Sequence, residues 1–393
     1  IYRLGTYVPV PGVDAQGIAD RINGQGAANV LQFLNLFSGG ALTRFSVFAL
    51  GIMPYITASI VIQLMTVVIP RLEALQKEGE AGYAKITQYT RYLTVVLAFL
   101  QSMAYVLFFR QQGALEGLGF GRLYLVIISL TAGTVLVMWL GELITQRGIG
   151  NGISLMIFAS IVAGIPTGIR RWWELEPVSK IIIAIMAVAV VVGVVFVNEG
   201  QRRIPIQYAK RVVGRRMTQG GTTYMPLRVN MAGVIPVIFA ASIVILPSLF
   251  STLIGGQNGF FADVGRLLGT NSWFYIVFQA VLIILFTYFY TAVQFNPVDQ
   301  ADNLKKYGGF IPGVRPGRPT AVYLDRVMTR LTLPGAVYLA GIASLPNIIF
   351  KYMPEVNFTF AGTSLLIVVG VAIDTMRQLE AQLMQRNYEG FLK

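Results

Sequence analysis

Long apolar stretches recur along the whole chain, each at a length that suits a membrane. About 20 helical residues cross the hydrocarbon core of a bilayer, because each residue advances a helix by about 1.5 Å. Nine windows have roughly this length, and they lie near 45–69, 92–109, 123–144, 152–169, 179–198, 230–251, 273–294, 330–349 and 362–378. We predict an all-α polytopic membrane protein in which these nine windows are transmembrane helices.

Lysine and arginine are distributed unevenly between the connecting segments. Of the 31 basic residues, 21 lie in the segments 70–91, 145–151, 199–229 and 295–330 and in the tail from 377. Basic residues accumulate on the cytoplasmic side of membrane proteins. These segments, and with them the C-terminus, are therefore predicted to be cytoplasmic.

Two of these segments are more basic than orientation alone requires. Residues 200–229 contain seven basic residues and no acidic residue. Residues 302–319, DNLKKYGGFIPGVRPGRP, add four more between glycines and prolines, which indicate a loop rather than a helix. A long stretch of one charge suits RNA phosphate or an acidic protein partner, and a role in topology alone is the alternative.

A short amphipathic segment, Asn29 to Phe37, precedes the first window and is too short to cross a bilayer. Its predicted apolar face is formed by Val30, Leu31, Leu34 and Phe37. The segment ends at Ser38, Gly39 and Gly40, and adjacent glycines permit backbone angles that other residues avoid. We interpret the three residues as a hinge after a half-helix; a simple loop is the alternative.

Two motifs occur twice, in the same order. GIMPYITASIVI from Gly51 and GVIPVIFAASIV from Gly233 share Gly-x-x-Pro-x-Ile-x-Ala. GISLMI from Gly152 and GTSLLI from Gly362 share Gly-x-Ser-Leu-x-Ile. Such a repeat indicates two homologous halves, which we place at residues 1–178 and 179–393.

The predicted topology makes these halves inverted. The window at 45–69 runs from outside to inside, whereas its partner at 230–251 runs from inside to outside. The second half has five windows and the first has four, so we expect ten helices in the complete fold, with the opening helix missing from the first half. The prediction is therefore two inverted pseudo-symmetric halves around a central pore.

Composition excludes most chemistry. The chain is 55% hydrophobic and 12% charged, and it contains neither cysteine nor histidine. Disulfides, thiolate nucleophiles, histidine ligands and a histidine general base are thereby excluded. The sequence also contains no glycine-rich phosphate loop followed by Lys-Ser or Lys-Thr. We predict no enzyme activity, no metal site and no cofactor, and expect a partner to supply energy.

The predicted helices contain few charges. Secondary transporters usually keep a charged residue near the midplane, where it binds the coupling ion. Glu142 and Asp374 instead fall near the cytoplasmic ends of their windows, where we expect them to snorkel or to pair with Arg147 or Arg377. An inverted-repeat secondary transporter nevertheless remains the alternative function.

Isoleucines occupy matched positions in the repeats. The two motifs place Ile56 opposite Ile238 and Ile157 opposite Ile367, and Ile52 and Ile153 lie one turn before Ile56 and Ile157. If the four helices face each other, these residues form an apolar collar. Such a constriction excludes water and ions by dewetting and does not discriminate among side chains, so it suits a polypeptide in transit.

Several stretches together resemble the SecY family, the channel subunits of bacterial protein translocases. They are VPVPGVD, LFSGGALTRFSVFALGIMPYITASIVIQLM, KEGEAGYAKITQYTRY, RGIGNGISLMIF, GQRRIPIQYAKR, LRVNMAGVIPVIFA, FNPVDQADNLKKYGGFIPGVRPG and AGTSLLIVV. They run in order from Ile1 to about Tyr388. The chain departs from the family in lacking the first transmembrane helix, which precedes VPVPGVD there, and Ile1 is accordingly expected to be a truncation.

The resemblance implies roles for particular residues. The segment containing Asn29, Leu31, Leu34 and Phe37 is expected to be the plug of the closed channel, with Ser38, Gly39 and Gly40 as its joint. The family's pore ring falls on Ile52, Ile56, Ile153, Ile157, Ile238 and Ile367. The helices at 45–69 and 230–251 are expected to border the lateral gate, with Gln63 and Ser242 as polar contacts across it.

The resemblance also implies partners. Family members dock the motor ATPase SecA or a translating ribosome on their cytoplasmic loops and work with the small subunits SecE and SecG. Arg315 matches an arginine central to that coupling, and the other expected contacts are Arg203, Lys210, Arg211, Arg215 and Arg216. The implied function is a passive, gated channel of the bacterial cytoplasmic membrane that translocates unfolded polypeptides. The channel would also release transmembrane segments, namely signal sequences and membrane anchors, sideways into the lipid.

Overall fold

Helices make up most of the computed structural model, which describes residues 2–11, 13, 35, 37–111, 115, 119–208, 211–213, 216–218, 221–254, 272–352 and 362–390. The helices are α1 (Tyr2–Gly5), α2 (Met53–Val68), α3 (Pro70–Lys77), α4 (Glu80–Gln111), α5 (Phe120–Arg147), α6 (Gly152–Glu174), α7 (Pro177–Glu199), α8 (Ile235–Ile254), α9 (Trp273–Gln294), α10 (Pro297–Lys306), α11 (Arg318–Tyr352) and α12 (Gly362–Gly390). The strands are β1 (Gln201–Tyr208), β2 (Arg211–Val213), β3 (Arg216–Thr218), β4 (Thr222–Arg228) and β5 (Gly309–Phe310).

Each predicted window overlaps a helix, although the ends differ. Residues 45–52 of the first window form turns, because the left-handed φ of +58° at Gly51 breaks any helix before Met53. By length and apolarity, α4, α5, α6, α7 and the run Trp273–Lys306 are candidate membrane spans among the described residues. A sixth is counted if α2 and α3, which meet at a 99° bend, are taken together. The number nine therefore stays a prediction.

Asparagine caps explain two helix starts. The Asn151 side chain accepts from the backbone N–H of Ile153 at 3.0 Å and so begins α6. Asn296 accepts from Val298 N–H at 3.0 Å, and Pro297 follows as the first residue of α10. The predicted loop at 302–319 was therefore wrong for residues 302–306, because they belong to the helix that begins at this cap.

The long helices pack into two groups. In the first, α2 packs on α4, α4 on α5 and α5 on α6; in the second, α8 and α11 pack on α9, and α7 and α11 pack on α12. The groups meet mainly where α8 contacts α2 and α4, and where α6 contacts α12. The second group begins with α7, which starts at Pro177, and the division into halves at residues 178 and 179 stays a prediction.

The repeated motifs adopt the same local structure in both copies. Gly51 and Gly233 have left-handed φ angles of +58° and +63°, and each lies two residues before the start of its helix. Gly152 and Gly362 are each the first residue of a helix. Sequence identity at these positions therefore reflects a common backbone path.

The matched helices run in opposite directions. One cavity is lined by residues 150, 151 and 154 at the start of α6 and by residues 370–378 of α12, beyond Ile367. It also touches the segment before α8 and the last residue of α9, Gln294. Hence α6 begins at the cavity, whereas α12, its match, reaches the cavity only after Ile367, so this matched pair runs in opposite directions, as inverted repeats require.

The basic arm between α7 and α8 folds as a β-hairpin, which the apolar windows did not predict. Strands β1 and β4 pair antiparallel, with Arg203 opposite Pro226, and β5 joins the other edge of β1. Strands β2 and β3 form a second pair. The three-stranded sheet rests on a small buried cluster that consists of Ile204, Leu227, Phe295, Ile311, Leu324, Val327 and Met328.

Both expected carboxylate pairings were wrong. Glu142 is bound by Arg91 of α4, whose guanidinium approaches it at 2.7 Å, rather than by Arg147. Asp374 lies 3.8 Å from Arg228, and Arg377 binds Glu199 at 2.7 Å instead. Glu142 thus joins α5 to α4, Asp374 joins α12 to strand β4, and Arg377 joins α12 to α7.

Substituting Arg91 by methionine should destabilise the folded protein. Glu142 is only 11% exposed, and without Arg91 its charge stays in a poorly solvated site. Because the Arg91 side chain is 43% exposed, we expect a loss of about 1 to 2 kcal/mol rather than the full cost of a buried pair. Thermal unfolding in detergent measures this loss, and an unchanged midpoint would show that the pair contributes nothing.

Candidate functional site

The six predicted ring isoleucines belong to one hydrophobic cluster that spans both halves. Ile52, Ile56, Ile157, Ile238 and Ile367 are each at most 5% exposed, and Ile153 is half-buried against the same cluster. Ile52 and Ile153 also pack against α5, since a Cβ placed on Gly141 would lie 3.6 Å from a side-chain carbon of each. The cluster is far larger than six residues, so the ring itself stays a prediction.

The cavity that shows the inversion lies directly beside these isoleucines. It has a volume of about 250 Å³. Its lining includes Ser154, between Ile153 and Ile157; Ile235, one turn before Ile238; and Val371, one turn after Ile367. Three of the four helices that supply the ring therefore border this cavity, which we call the vestibule, at the side predicted to be cytoplasmic.

Polar side chains line the vestibule, and the sequence analysis did not single them out. They are Asn151, Asn198, Asn230, Tyr290, Gln294 and Gln378. Asn230 donates to the Asn198 side chain at 3.0 Å and to the carbonyl of Gly233 at 3.2 Å. The sequence could have pointed to Asn230, because this residue lies just before the repeated glycine motif. The vestibule thus has a polar lining and lies next to a large apolar cluster.

The predicted plug joint is described, whereas most of the plug is not. Gly39 and Gly40 have left-handed φ angles of +66° and +83°, and Gly40 N–H donates to the carbonyl of Asn35 at 2.8 Å, as at a glycine-terminated helix end. Phe37 and Ser38 are buried. Asn29, Leu31 and Leu34 lie outside the described residues. The backbone therefore requires glycine at both positions, and movement about them stays a prediction.

The predicted lateral gate corresponds to the contact between α2 and α8. Gln63 is half-buried on α2 and Ser242 is buried on α8. The Ser242 hydroxyl donates to the carbonyl of Ile238 at 2.8 Å within its own helix. A hydrogen bond between the two side chains would therefore have to be donated by Gln63, and their role at a gate stays a prediction.

Arg315 is exposed on a loop of fixed shape. Gly313 and Gly317, with φ angles of +83° and +102°, turn the chain on either side of it, and Thr320 donates to its carbonyl at 2.9 Å. The neighbouring Val314 packs on the cluster beneath the three-stranded sheet. The loop and the sheet are thus one unit.

The other predicted docking residues lie on the basic arm between α7 and α8. Arg203 is exposed on β1, whose edge pairs with β5. Arg211 and Arg216 belong to the paired strands β2 and β3, while Lys210 and Arg215 lie outside the described residues. Arg203 and Arg315 are therefore exposed on the same packed unit, and we call its exposed face, which is predicted to be cytoplasmic, the docking surface.

Solved structures with a similar fold are protein-conducting channels. A structure described as that of a protein-conducting channel matches with a TM-score of 0.64 at 18% identity, covering 97% of this chain and 89% of the other. Canine Sec61 in a ribosome-channel complex matches with a TM-score of 0.60 at 18% identity over the same shares. The idle yeast Ssh1 complex on the 80S ribosome gives 0.64 at 15%, covering 97% and 86%. The fold is that of this class of channel.

The sequence comparisons identify the family within that class. The SecY family model matches residues 46–376. The protein translocase subunit SecY of Corynebacterium glutamicum is 50% identical over 415 residues, and that of Mycobacterium tuberculosis is 50% identical over 416, each covering all of this chain and 94% of the relative. The chain belongs to the SecY family, as the motifs indicated, and is a multi-pass protein of the bacterial cytoplasmic membrane.

Proposed function

We propose that polypeptides cross the membrane through the isoleucine ring of this chain, entering from the vestibule. The chain is a protein-conducting channel, as its family and fold establish. The observation that carries the proposed path is the position of the vestibule, whose lining residues Ser154, Ile235 and Val371 lie one turn from ring residues on α6, α8 and α12. A hydrated entry next to a dry constriction gives an extended chain polar contacts until it enters the ring.

The closed state is held by apolar packing. Five ring residues are almost fully buried, so water has little access to them. An empty apolar constriction excludes ions without any charged gate. In the proposed cycle the segment 29–37 seals the outer side and moves about Gly39 and Gly40 when a polypeptide enters.

Lateral release uses the contact between the two halves. Among the described residues, α8 of the second group contacts α2 and α4 of the first, and α6 of the first contacts α12 of the second. Separation of α2 from α8 opens a path from the pore to the lipid, through which a signal sequence or membrane anchor leaves. Gln63 and Ser242 lie on the two helices that part.

The docking surface couples the channel to a source of energy. It presents Arg203 and Arg315 outward on a packed base, which suits the acidic surface of a motor or the phosphates of ribosomal RNA. We include SecA and the ribosome as partners, with SecE and SecG as small subunits. The ribosome-bound Sec61 and Ssh1 complexes, which share the fold, support the ribosome assignment.

Neutralising the two carboxylates tests the transporter alternative. Glu142→Gln and Asp374→Asn should leave polypeptide translocation by the reconstituted complex within about twofold of wild type, because each carboxylate pairs with an arginine of its own half. A coupling-ion site would instead lose transport altogether. Loss of an ion-coupled solute uptake in either variant, with translocation unaffected, would contradict the proposal.

A further inference from the structure

The first residues of the chain enclose the plug joint. Val8 accepts a backbone hydrogen bond from Val47 at 3.0 Å, and Val10 donates one to Phe45 at 3.1 Å. The ring of Tyr2 stacks on that of Phe48, with centroids 5.9 Å apart and planes inclined by 10°. Residues 2–10 are therefore bound to the segment that immediately follows the joint.

Two side chains of this N-terminal segment bind the joint itself. The Tyr2 hydroxyl lies 2.7 Å from the Ser160 hydroxyl and 3.4 Å from the carbonyl of Ser38. The guanidinium of Arg3 donates to the carbonyl of Gly39. Both carbonyls belong to the residues that the plug must move about, so these contacts exist only while the joint keeps its present shape.

Ser160, the third residue of this group after Tyr2 and Arg3, lies on a helix that supplies ring residues. Ser160 is buried on α6, three residues after Ile157, and its hydroxyl also donates to the carbonyl of Met156 at 2.9 Å. The Ser160 proton is thereby used, so the single Tyr2 hydroxyl proton is shared between the Ser160 oxygen at 2.7 Å and the Ser38 carbonyl at 3.4 Å. A displacement of α6 on ring opening would carry Ser160 away from Tyr2.

Gly39 fits closely into this group. A Cβ at Gly39 would lie 3.2 Å from Nη1 of Arg3 and 3.4 Å from Cα of Ser160. Among the described residues, a Cβ at Gly40 would meet nothing within 4 Å, although both glycines have left-handed φ angles. The two glycines therefore share a backbone requirement, and only Gly39 has a packing requirement.

We propose that Tyr2 and Arg3 are positioning residues that clamp the plug joint to α6, so that dilation of the ring at Ile157 releases the joint. The inference rests on the proposed function, because it assigns the joint to a moving plug. It adds a direction of coupling: the polypeptide acts first on the ring helix, and the plug is freed as a consequence.

Thiol labelling tests the clamp independently of conduction. The chain lacks cysteine, so Ser38→Cys places a unique reporter at a side chain that is 1% exposed. The reconstituted complex is treated with a membrane-impermeant maleimide and the labelling rate is measured. Ser344→Cys, a buried site on α11, serves as the control for general loosening.

We expect Tyr2→Phe and Ser160→Ala each to raise the labelling rate at position 38 about fivefold, since both remove the hydrogen bond between Tyr2 and Ser160, and Phe retains the stacking on Phe48. The double variant should show no further rise. Arg3→Ala should raise the rate about tenfold, and Arg3→Lys, which keeps a cationic donor, should restore most of the protection. Gly39→Ala should exceed Gly40→Ala.

The outcomes distinguish a failure of the clamp proposal from a failure of the proposed channel function. Unchanged labelling in Tyr2→Phe and Arg3→Ala overturns the clamp. An equal rise in the labelling rate at position 344 also overturns it, as does a rate in the double variant that equals the product of the two single effects. Ion conductance is measured on the same variants. A faster reaction at position 38 with unchanged conductance supports the clamp and instead contradicts the sealing role given to the plug.

Discussion

Replacing Arg315 with glutamate should reduce motor-driven translocation by a factor of about 100 or more, while the resting ion conductance stays at the wild-type level. The side chain is exposed at the tip of a loop that Gly313, Gly317 and Thr320 hold in one shape. A glutamate at this fixed position would repel the acidic surface of the partner, and such repulsion costs several kcal/mol. Translocation of a precursor into proteoliposomes measures the effect.

The matched control for this variant is Arg318→Glu. Arg318 carries the same charge three residues later, is also exposed, and begins α11. A general loss of positive potential would impair both variants equally. Equal impairment, or normal translocation by Arg315→Glu, would remove the special role given to Arg315.

Asparagine at Ile56 or Ile238 should raise the resting ion conductance of the reconstituted complex about tenfold or more. Each isoleucine is 5% exposed in the cluster that spans both halves. An amide attracts water that an alkyl side chain excludes, so it abolishes the dewetting that closes an apolar constriction. Planar-bilayer recordings without a translocating polypeptide provide the measurement.

Ile283→Asn is the matched control for the ring variants. Ile283 is fully buried in the same cluster but lies on α9, which supplies no ring residue. An equal leak in this variant would mean that any polar group in the core loosens the protein. A tight membrane in the ring variants, together with loss of small-solute uptake, would favour the transporter.

The sequence predicted the helices and the repeats well because both depend on local patterns. Apolar windows reflect the thickness of the bilayer, and Gly51 and Gly233 recur because two helices need the same left-handed turn before them. The candidate ring follows from the repeat alone. Its closure could not be predicted, since it depends on how four helices that are distant in sequence meet.

The errors concern interactions between distant segments. Arg147 is five residues from Glu142, which places it on another face of the helix, and the true partner is Arg91 on a neighbouring helix. The alternation of Ile204 and Ile206 was visible, but Pro205 separates them, and their strand is completed by β4 and β5. The contacts of Tyr2 with Ser160 join segments 158 residues apart.

Photo-crosslinking of an arrested polypeptide tests the central claim most directly. A photoreactive residue is placed at position 238 or 367 in the ring, or at Val188 of α7, whose side chain is 64% exposed. With a precursor stalled midway across the membrane, the account predicts crosslinks to it from both ring positions and none from position 188. Crosslinks from position 188 without any from the ring would show that the polypeptide does not pass between these isoleucines.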